Sequence, residues 1–181
     1  VTHVDASKKS VDQARTNDIA PDLLRGFAQD NATDLLCHFP KPAMGDLSAD
    51  LLAAIDAAQP AIAAQSEAGG KKNTAEYLAM MRSMERALRG NYATWSNWAK
   101  LSKLWPEVAL KGLAEPINEI AARFAEHPLL QQDIRDYLSQ MFALCADALA
   151  IYADRKRELG ILDFADQEHL PSIVNADAEE L

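Results

Sequence analysis

One long run near the end of the chain constrains the fold most. From Pro128 to Leu159, about 32 residues, it contains no glycine and, after its first residue, no proline. Proline is accepted at the first position of a helix, and glycine is favoured just past a helix end, where Gly160 stands. Apolar residues recur along the run at near-helical spacing: Leu130, Ile134, Tyr137, Leu138, Met141, Leu144, Cys145, Leu149 and Tyr152. The pattern predicts a single helix, about 48 Å long at about 1.5 Å per residue.

Shorter helical patterns fill most of the remaining sequence. Alanine and leucine are frequent and only seven glycines occur, a mixture that favours helix over strand. Ser48, Thr74 and Thr94 precede periodic apolar runs and are predicted N-caps. Pro60 is expected to kink or split the helix that follows Ser48, and a further helix is expected from about Glu115. No pair of alternating strands is found, so we predict an all-α fold of about six or seven helices.

The sequence is predicted to divide into three parts. Residues 1–17 are polar and are expected to form an extended or mobile lead-in, residues 18–160 one helical domain, and residues 161–181 a short apolar and acidic segment. No window of about 18 uninterrupted apolar residues suggests a membrane span, and the N-terminus lacks the apolar core of a signal peptide. Cys37 and Cys145 lie in apolar helical patterns, so buried free thiols in a reducing cytoplasm are expected.

Charge is unevenly distributed along the chain. The formal net charge is −9, which argues against affinity of the whole surface for nucleic acid. Residues 71–111, however, contain eight Lys/Arg and three Glu, a net of +5, and all three tryptophans. Cations can bind phosphates and aromatic rings can stack on bases, although a solvated face and core packing of Trp95 and Trp98 explain the same residues. The candidate DNA-binding residues are Lys71, Lys72, Arg82, Arg86, Arg89, Lys100 and Lys103.

No pattern in the sequence indicates a catalytic, cofactor or metal site. The four histidines, among them His38 and His127, are scattered and never spaced as metal ligands with a carboxylate or cysteine. The glycines and lysines at 69–72 lack the spacing of a phosphate-binding loop, and no nucleophile motif is present. Asp163 and Asp166 could hold a cation, but capping of a following helical turn explains them better.

The segment YADRKRELGILDFAD, residues 152–166, resembles a segment of UvrD/RecB-type superfamily 1 DNA helicases. In that family a long helix ends in Tyr-x-x-x-Lys and is followed by a glycine turn and an LDFxDL sequence. The matching positions are Tyr152, Lys156, Gly160, Leu162, Asp163, Phe164 and Asp166. Gln167 departs from the usual leucine. The long helical stretch before the segment resembles the enlarged insertion domain, called 1B, of the RecB/AddA helicase-nuclease branch.

The resemblance implies that this chain is a helical accessory domain of a longer DNA helicase. The RecB/AddA branch further implies a helicase-nuclease of DNA repair with a partner subunit. Residues 161–181 would then lead back to a motor domain that binds ATP and Mg, while this part would contact duplex DNA near a junction without ATPase activity of its own. The family motif does not reach residues 71–111, whose assignment as the DNA surface rests on charge alone. The alternative is a stand-alone all-helical protein-interaction module.

Overall fold

A computed structural model describes residues 3–17 and 19–162 of the chain. These residues form seven α-helices and two short 3-10 turns, and no strand occurs among them, so the all-α prediction is confirmed. The helices are α1 (His3–Thr16), α2 (Pro21–Leu36), α3 (Leu47–Glu67), α4 (Lys72–Arg89), α5 (Trp95–Leu101), α6 (Lys111–Ala122) and α7 (Pro128–Leu159). The 3-10 turns are Val108–Leu110 and Arg123–Glu126.

Helix α7 confirms the prediction of one long C-terminal helix. It spans 32 residues and ends where Gly160 adopts a left-handed conformation with φ of 62°. The amide of Ile161 then donates to the carbonyl of Lys156 at 3.1 Å, which satisfies one of the carbonyls left free at the helix end. Only glycine enters this conformation at little cost, so Gly160 determines where the helix stops.

The described residues divide into two compact units. Unit 1 comprises the described residues of Val1–Leu36 and Ile134–Leu181, and unit 2 comprises Cys37–Asp133. Each unit has its own cluster of buried apolar side chains. Helical spacing shows which residues are buried but not into how many clusters they are collected, so one domain over residues 18–160 stays a prediction.

Unit 2 is built on the packing of α3, α4, α5 and α6. Helix α3 buries one stripe, with Leu51, Ile55 and Ile62 at 0% exposure. Helix α4 buries Tyr77, Leu78, Met81 and Met84, which the sequence places on one face. Trp98 and Leu101 of α5 close the same core, as do the residues of α6: Ala114, Ile117 and Ala121.

Helix α3 is the one described helix that is long and apolar enough to cross a membrane, judged by length and composition only. Its apolar stripe packs in the core of unit 2 against α4 and α6. A core helix of a helical domain passes the same test of length and composition.

The starts of α3 and α4 differ from the predicted ones. Asp46, not Ser48, caps α3, because its carboxylate accepts from the amides of Ser48 and Ala49 at 3.0 and 3.1 Å. Helix α4 begins at Lys72, before Thr74. The hydroxyl oxygen of Thr74 does not cap the helix but accepts a hydrogen bond from the amide of Glu107. Thr94 caps α5 as predicted.

Two further predictions about α3 and α6 need correction. Helix α3 continues through Pro60 and is not split, since its stripe remains buried on both sides of the proline. Helix α6 begins at Lys111, about one turn before Glu115, and Ala114 in this additional turn packs in the core at 0% exposure.

Unit 1 contains a helix where the sequence predicts an extended lead-in. Helix α1 forms because Val11 and Ala14 present a short apolar edge that packs with Leu24 of α2 and Cys145 of α7. Cys145 is buried, as expected, but Cys37 is exposed. The buried-thiol prediction is wrong for Cys37 because α2 ends at Leu36, which leaves Cys37 beyond the helix face that is buried.

A buried hydrogen-bond network joins α4 to α6 in unit 2. The hydroxyl of Tyr77, whose side chain is fully buried, donates to Oδ1 of Asn118 at 2.9 Å. Nδ2 of Asn118 donates to the carbonyl of Leu104 at 2.8 Å. Burial raises the pKa of the Tyr77 phenol well above its ordinary value, so the hydroxyl keeps its proton as a donor.

Tyr77→Phe should lower the free energy of unfolding by about 1–3 kcal/mol, because it leaves the buried amide oxygen of Asn118 without a donor. Chemical denaturation monitored by circular dichroism measures the change. Tyr92→Phe is the matched control, since Tyr92 is 62% exposed and should leave the midpoint unchanged. Equal midpoints for Tyr77→Phe and the wild type would show that the network does not contribute to stability.

Candidate nucleic-acid interface and aromatic cleft

All seven candidate cations lie in unit 2. Lys71 precedes α4, Lys72 and the three arginines lie on α4, Lys100 lies in the last turn of α5, and Lys103 follows α5. All seven side chains are exposed. Unit 2 has ten Lys/Arg and eleven Asp/Glu, a net of −1, so the remaining eight Lys/Arg and sixteen Asp/Glu carry −8 of the total. The acidic excess of the chain therefore lies mainly outside the unit that holds the candidates.

One face of α4 carries four of the cations. Positions 72, 75, 79, 82, 86 and 89 follow one another at alternating spacings of three and four, so they share a face. Lys72, Arg82, Arg86 and Arg89 are the long side chains of this set, and exposed Ala75 and Ala79 lie between them. We call these six residues the α4 basic face. It lies opposite the buried side of the helix and extends for about 25 Å.

Two of the four cations on this face have acidic partners within the chain. Nη2 of Arg89 donates to both carboxylate oxygens of Asp56 at 2.8 and 2.9 Å, and its Nε donates to Glu85 at 3.1 Å. The hydrogen bond to Glu85 is the largest cause that raises the pKa of Arg89. The hydrogen bond to Asp56 and the negative charge of Asp56 raise it further. Lys72 lies 3.5 Å from Glu76, one turn away. Arg89 is the cation whose charge is most fully matched by the protein itself.

Arg82 and Arg86 have no ion pair among the residues that the structure describes. Nε of Arg86 donates to the backbone carbonyl of Arg82 at 3.2 Å, which leaves the rest of its guanidinium available. The described residues likewise include no ion-pair partner for Lys71, Lys100 or Lys103. Five of the seven candidate cations are therefore available for an external anion, whereas Lys72 and Arg89 already have acidic partners.

The residues that carry the family resemblance lie at the C-terminal end of α7 in unit 1. Tyr152 and Lys156 are one turn apart, and Nζ of Lys156 lies 5.4 Å from the centre of the Tyr152 ring. Arg15 of α1 contacts the same ring and donates to its hydroxyl at 3.3 Å. Gly160 ends the helix and Leu162 is exposed. Asp163, Phe164 and Asp166 lie outside the described residues.

The three tryptophans occupy different environments. Trp98 is 1% exposed and belongs to the core, as expected, whereas Trp95 is half-buried and packs at the edge of that core. Trp105 is 39% exposed, and Nζ of Lys111 lies 5.8 Å from its ring centre.

Trp95 forms one wall of a cleft within unit 2 that the sequence does not reveal. The cleft has a volume of about 230 Å³, and Trp98, His127, Leu129 and Asp133 also line it. The indole Nε1 of Trp95 donates to Oδ2 of Asp133 at 2.8 Å. The ring of His127 meets Trp95 and Trp98 edge-on, with ring centres 5.0 and 5.5 Å apart.

The hydrogen bonds of His127 fix the proton on one of its ring nitrogens. Its Nδ1 accepts from the amide of Leu129 at 3.2 Å, so this nitrogen carries no proton. Nε2 is therefore protonated in the neutral ring and donates to the hydroxyl oxygen of Ser48 at 3.0 Å. A histidine that donates to a serine cannot take the serine proton, so the pair is not a nucleophile with its base. His127 instead caps the start of α7 and ties it to α3.

His127 is the residue that sequence reasoning underestimated. Its position directly before Pro128, at the start of a predicted helix, is the one available signal, since that position is an N-cap. Among the described residues, no group of three His, Cys, Asp or Glu side chains is arranged to hold a metal ion.

Burial lowers the pKa of His127 below its ordinary value of 6.5, while the charges of Asp46 and Asp133 act in the opposite direction. The unfolded chain therefore takes up the proton at higher pH than the folded chain does. The stabilising contribution of neutral His127 should be complete above pH 6.5 and should be lost as the pH falls below it.

Replacing His127 by asparagine, which can still cap α7, should remove this pH dependence. We expect the stability advantage of the wild type over His127→Asn to shrink between pH 7.5 and pH 5, by at most about 1.4 kcal/mol per pH unit. Unfolding by denaturant at each pH measures it, with His38→Asn at an exposed site as control. Parallel pH curves for wild type and His127→Asn would contradict the assignment.

No family model, curated protein or solved structure matches this chain. The helicase resemblance therefore remains a prediction that rests on residues 152–166.

Proposed function

We propose that unit 2 contacts the phosphate backbone of duplex DNA through the α4 basic face, as an accessory part of an ATP-dependent DNA helicase. The observation that carries this proposal is the pair Arg82 and Arg86. Both are exposed, both lack an acidic partner in the described chain, and exposed Ala75 and Ala79 precede them on the same helix face.

The dimensions of this face suit a polyanion. Arg82 and Arg86 are separated by about 6 Å along the helix axis, so the two side chains can contact neighbouring phosphates of one strand. Ala75 and Ala79 have short side chains, which allow the helix to approach the backbone while the longer cations reach outward. Such contacts fix position and carry no sequence information, so binding should be independent of base sequence.

The charge distribution determines how strong such binding can be. Two to five cations without partners provide few phosphate contacts, and the acidic residues outside unit 2 repel DNA from the rest of the surface. The contact should therefore be weak, confined to one face and strongly dependent on salt.

The helicase assignment is supported by residues 152–166 and by the helix that precedes them. In this proposal, a cytoplasmic parent protein supplies the ATP and Mg site in its motor domains, and this part holds the duplex near a junction without hydrolysing ATP. The parent could also act with a partner subunit of a helicase-nuclease.

One observation favours the alternative, a protein-interaction module. Three large apolar side chains of α7 in unit 1 are exposed at intervals of seven residues: Tyr137, Leu144 and Ile151. A stripe with this period is typical of a surface that packs on another helix. It is apolar and cannot serve a phosphate backbone, so it would act separately from the α4 basic face.

Substituting Arg82→Gln/Arg86→Gln should weaken binding of the chain to a short duplex about tenfold at low salt and lower the slope of log affinity against log salt by about 2. The reason is the loss of two phosphate contacts, each of which releases about one counterion. Fluorescence anisotropy with two duplexes of unrelated sequence measures both quantities.

The matched control is Lys41→Gln/Arg123→Gln, which removes the same charge from unit 2 but away from α4. It should leave the salt slope nearly unchanged. Equal loss in both double variants would indicate a response to net charge alone, and no loss in either would refute the α4 basic face as the DNA surface.

A further inference from the structure

We propose that the Trp95 cleft binds a guanidinium group, the side chain of an arginine presented by a protein partner. This inference does not depend on the proposed DNA contact, because the cleft and the α4 basic face share no residue. It rests on the size, charge and aromatic character of the cleft.

The size of the cleft limits what can enter it. Its volume is about 230 Å³. Sites for drug-sized ligands are larger, with volumes of about 300–1,000 Å³. A single side chain or a group of similar size fits, whereas a nucleotide does not fit completely. Leu129 at the rim is 62% exposed, so apolar surface is available for the aliphatic part of an entering side chain.

The charge of the cleft selects a cation. Asp133 is the one charged side chain that lines it, and Asp46 lies close enough to act on His127 together with Asp133. The C-terminal end of α4 also lines the cleft at Ala87 and Leu88, and a helix C-terminus carries partial negative charge. The caps of α3, α5 and α7 occupy early backbone amides of those helices, which would otherwise attract an anion.

The aromatic wall selects a planar cation among the possible ones. A guanidinium stacks on indole and donates paired hydrogen bonds to a carboxylate, whereas an ammonium does neither as well. Trp95 and Asp133 are already joined by the 2.8 Å hydrogen bond, so the ring and the carboxylate are held side by side before any ligand arrives. Contacts with His127 at 5.0 Å and Trp98 at 6.4 Å further fix the indole. A prearranged site of this kind loses little freedom on binding.

The test uses the whole chain and the indole N–H resonance of Trp95, recorded by NMR during titration with N-acetyl-arginine amide. N-acetyl-citrulline amide, which has the same shape without the charge, is the matched ligand. We expect the arginine derivative to shift the resonance in a saturable way and the citrulline derivative to bind at least about tenfold more weakly, because a charged hydrogen bond is lost. Equal shifts with both ligands, or none with arginine, would overturn the proposal.

A variant locates the binding to the carboxylate. Asp133→Asn retains an acceptor for the Trp95 indole but removes the charge, and should weaken arginine binding about tenfold. Asp136→Asn, one turn further along α7 and outside the cleft, should bind as the wild type does. An unchanged affinity in Asp133→Asn would place the arginine elsewhere and refute the assignment.

Two further arms identify the source of the ligand. A glycine-flanked arginine peptide that binds more tightly than free agmatine supports a protein partner, whereas equal affinities support a free alkylguanidine of the same chemistry. Adenosine serves as the competitor for base stacking. If adenosine shifts the Trp95 resonance and the arginine ligands do not, the cleft is a base-stacking site and the proposal is wrong.

Discussion

The two-sided character of α4 governs the organisation of unit 2. Tyr77, Met81 and Met84 are fully buried against the neighbouring helices, and the phenol of Tyr77 makes a hydrogen bond that α6 completes through Asn118. These contacts fix the rotation of α4 about its axis and therefore determine which of its side chains face solvent. The same rotation that buries the methionines turns Arg82 and Arg86 outward.

His127 also organises unit 2, because its ring contacts α3, α5 and the start of α7. Its ring caps α7, donates to Ser48 near the start of α3, and packs edge-on against Trp95 and Trp98 of α5. The ring fulfils these roles only when neutral, because a proton on Nδ1 would oppose the amide of Leu129. The cleft beside Trp95 therefore depends on a histidine that serves structure and not catalysis.

The existence of every described helix except α1 could be predicted from the sequence, whereas helix ends and side-chain environments often could not. The period of apolar residues and the absence of internal glycine are local properties, which is why α7 is correctly predicted from Pro128 to Leu159. Ser48 and Asp46 are both good capping residues two positions apart, so the sequence leaves the exact start of α3 open; Asp46 is the cap, and Ser48 contacts His127. Helix α1 looks too polar to pack until α2 and α7 provide a surface for Ala14.

The candidate site follows the same division. Charge counting finds the basic segment, because composition is local, but it cannot tell which cations the protein neutralises itself. That distinction depends on Asp56, which lies 33 residues before Arg89 and on another helix. The Trp95 cleft also joins distant positions, since Asp133 follows Trp95 by 38 residues.

The bond between Asp56 and Arg89 also bears on how such a surface can change during evolution. Asp56 is on α3, outside the α4 basic face, yet it shares with Glu85 the neutralisation of Arg89. A substitution at position 56 would leave Arg89 with Glu85 alone, and would change the charge that the face offers a polyanion while every residue of that face stayed the same. The strength of an electrostatic surface can thus be adjusted from a neighbouring helix, and a comparison of basic residues alone would miss the change.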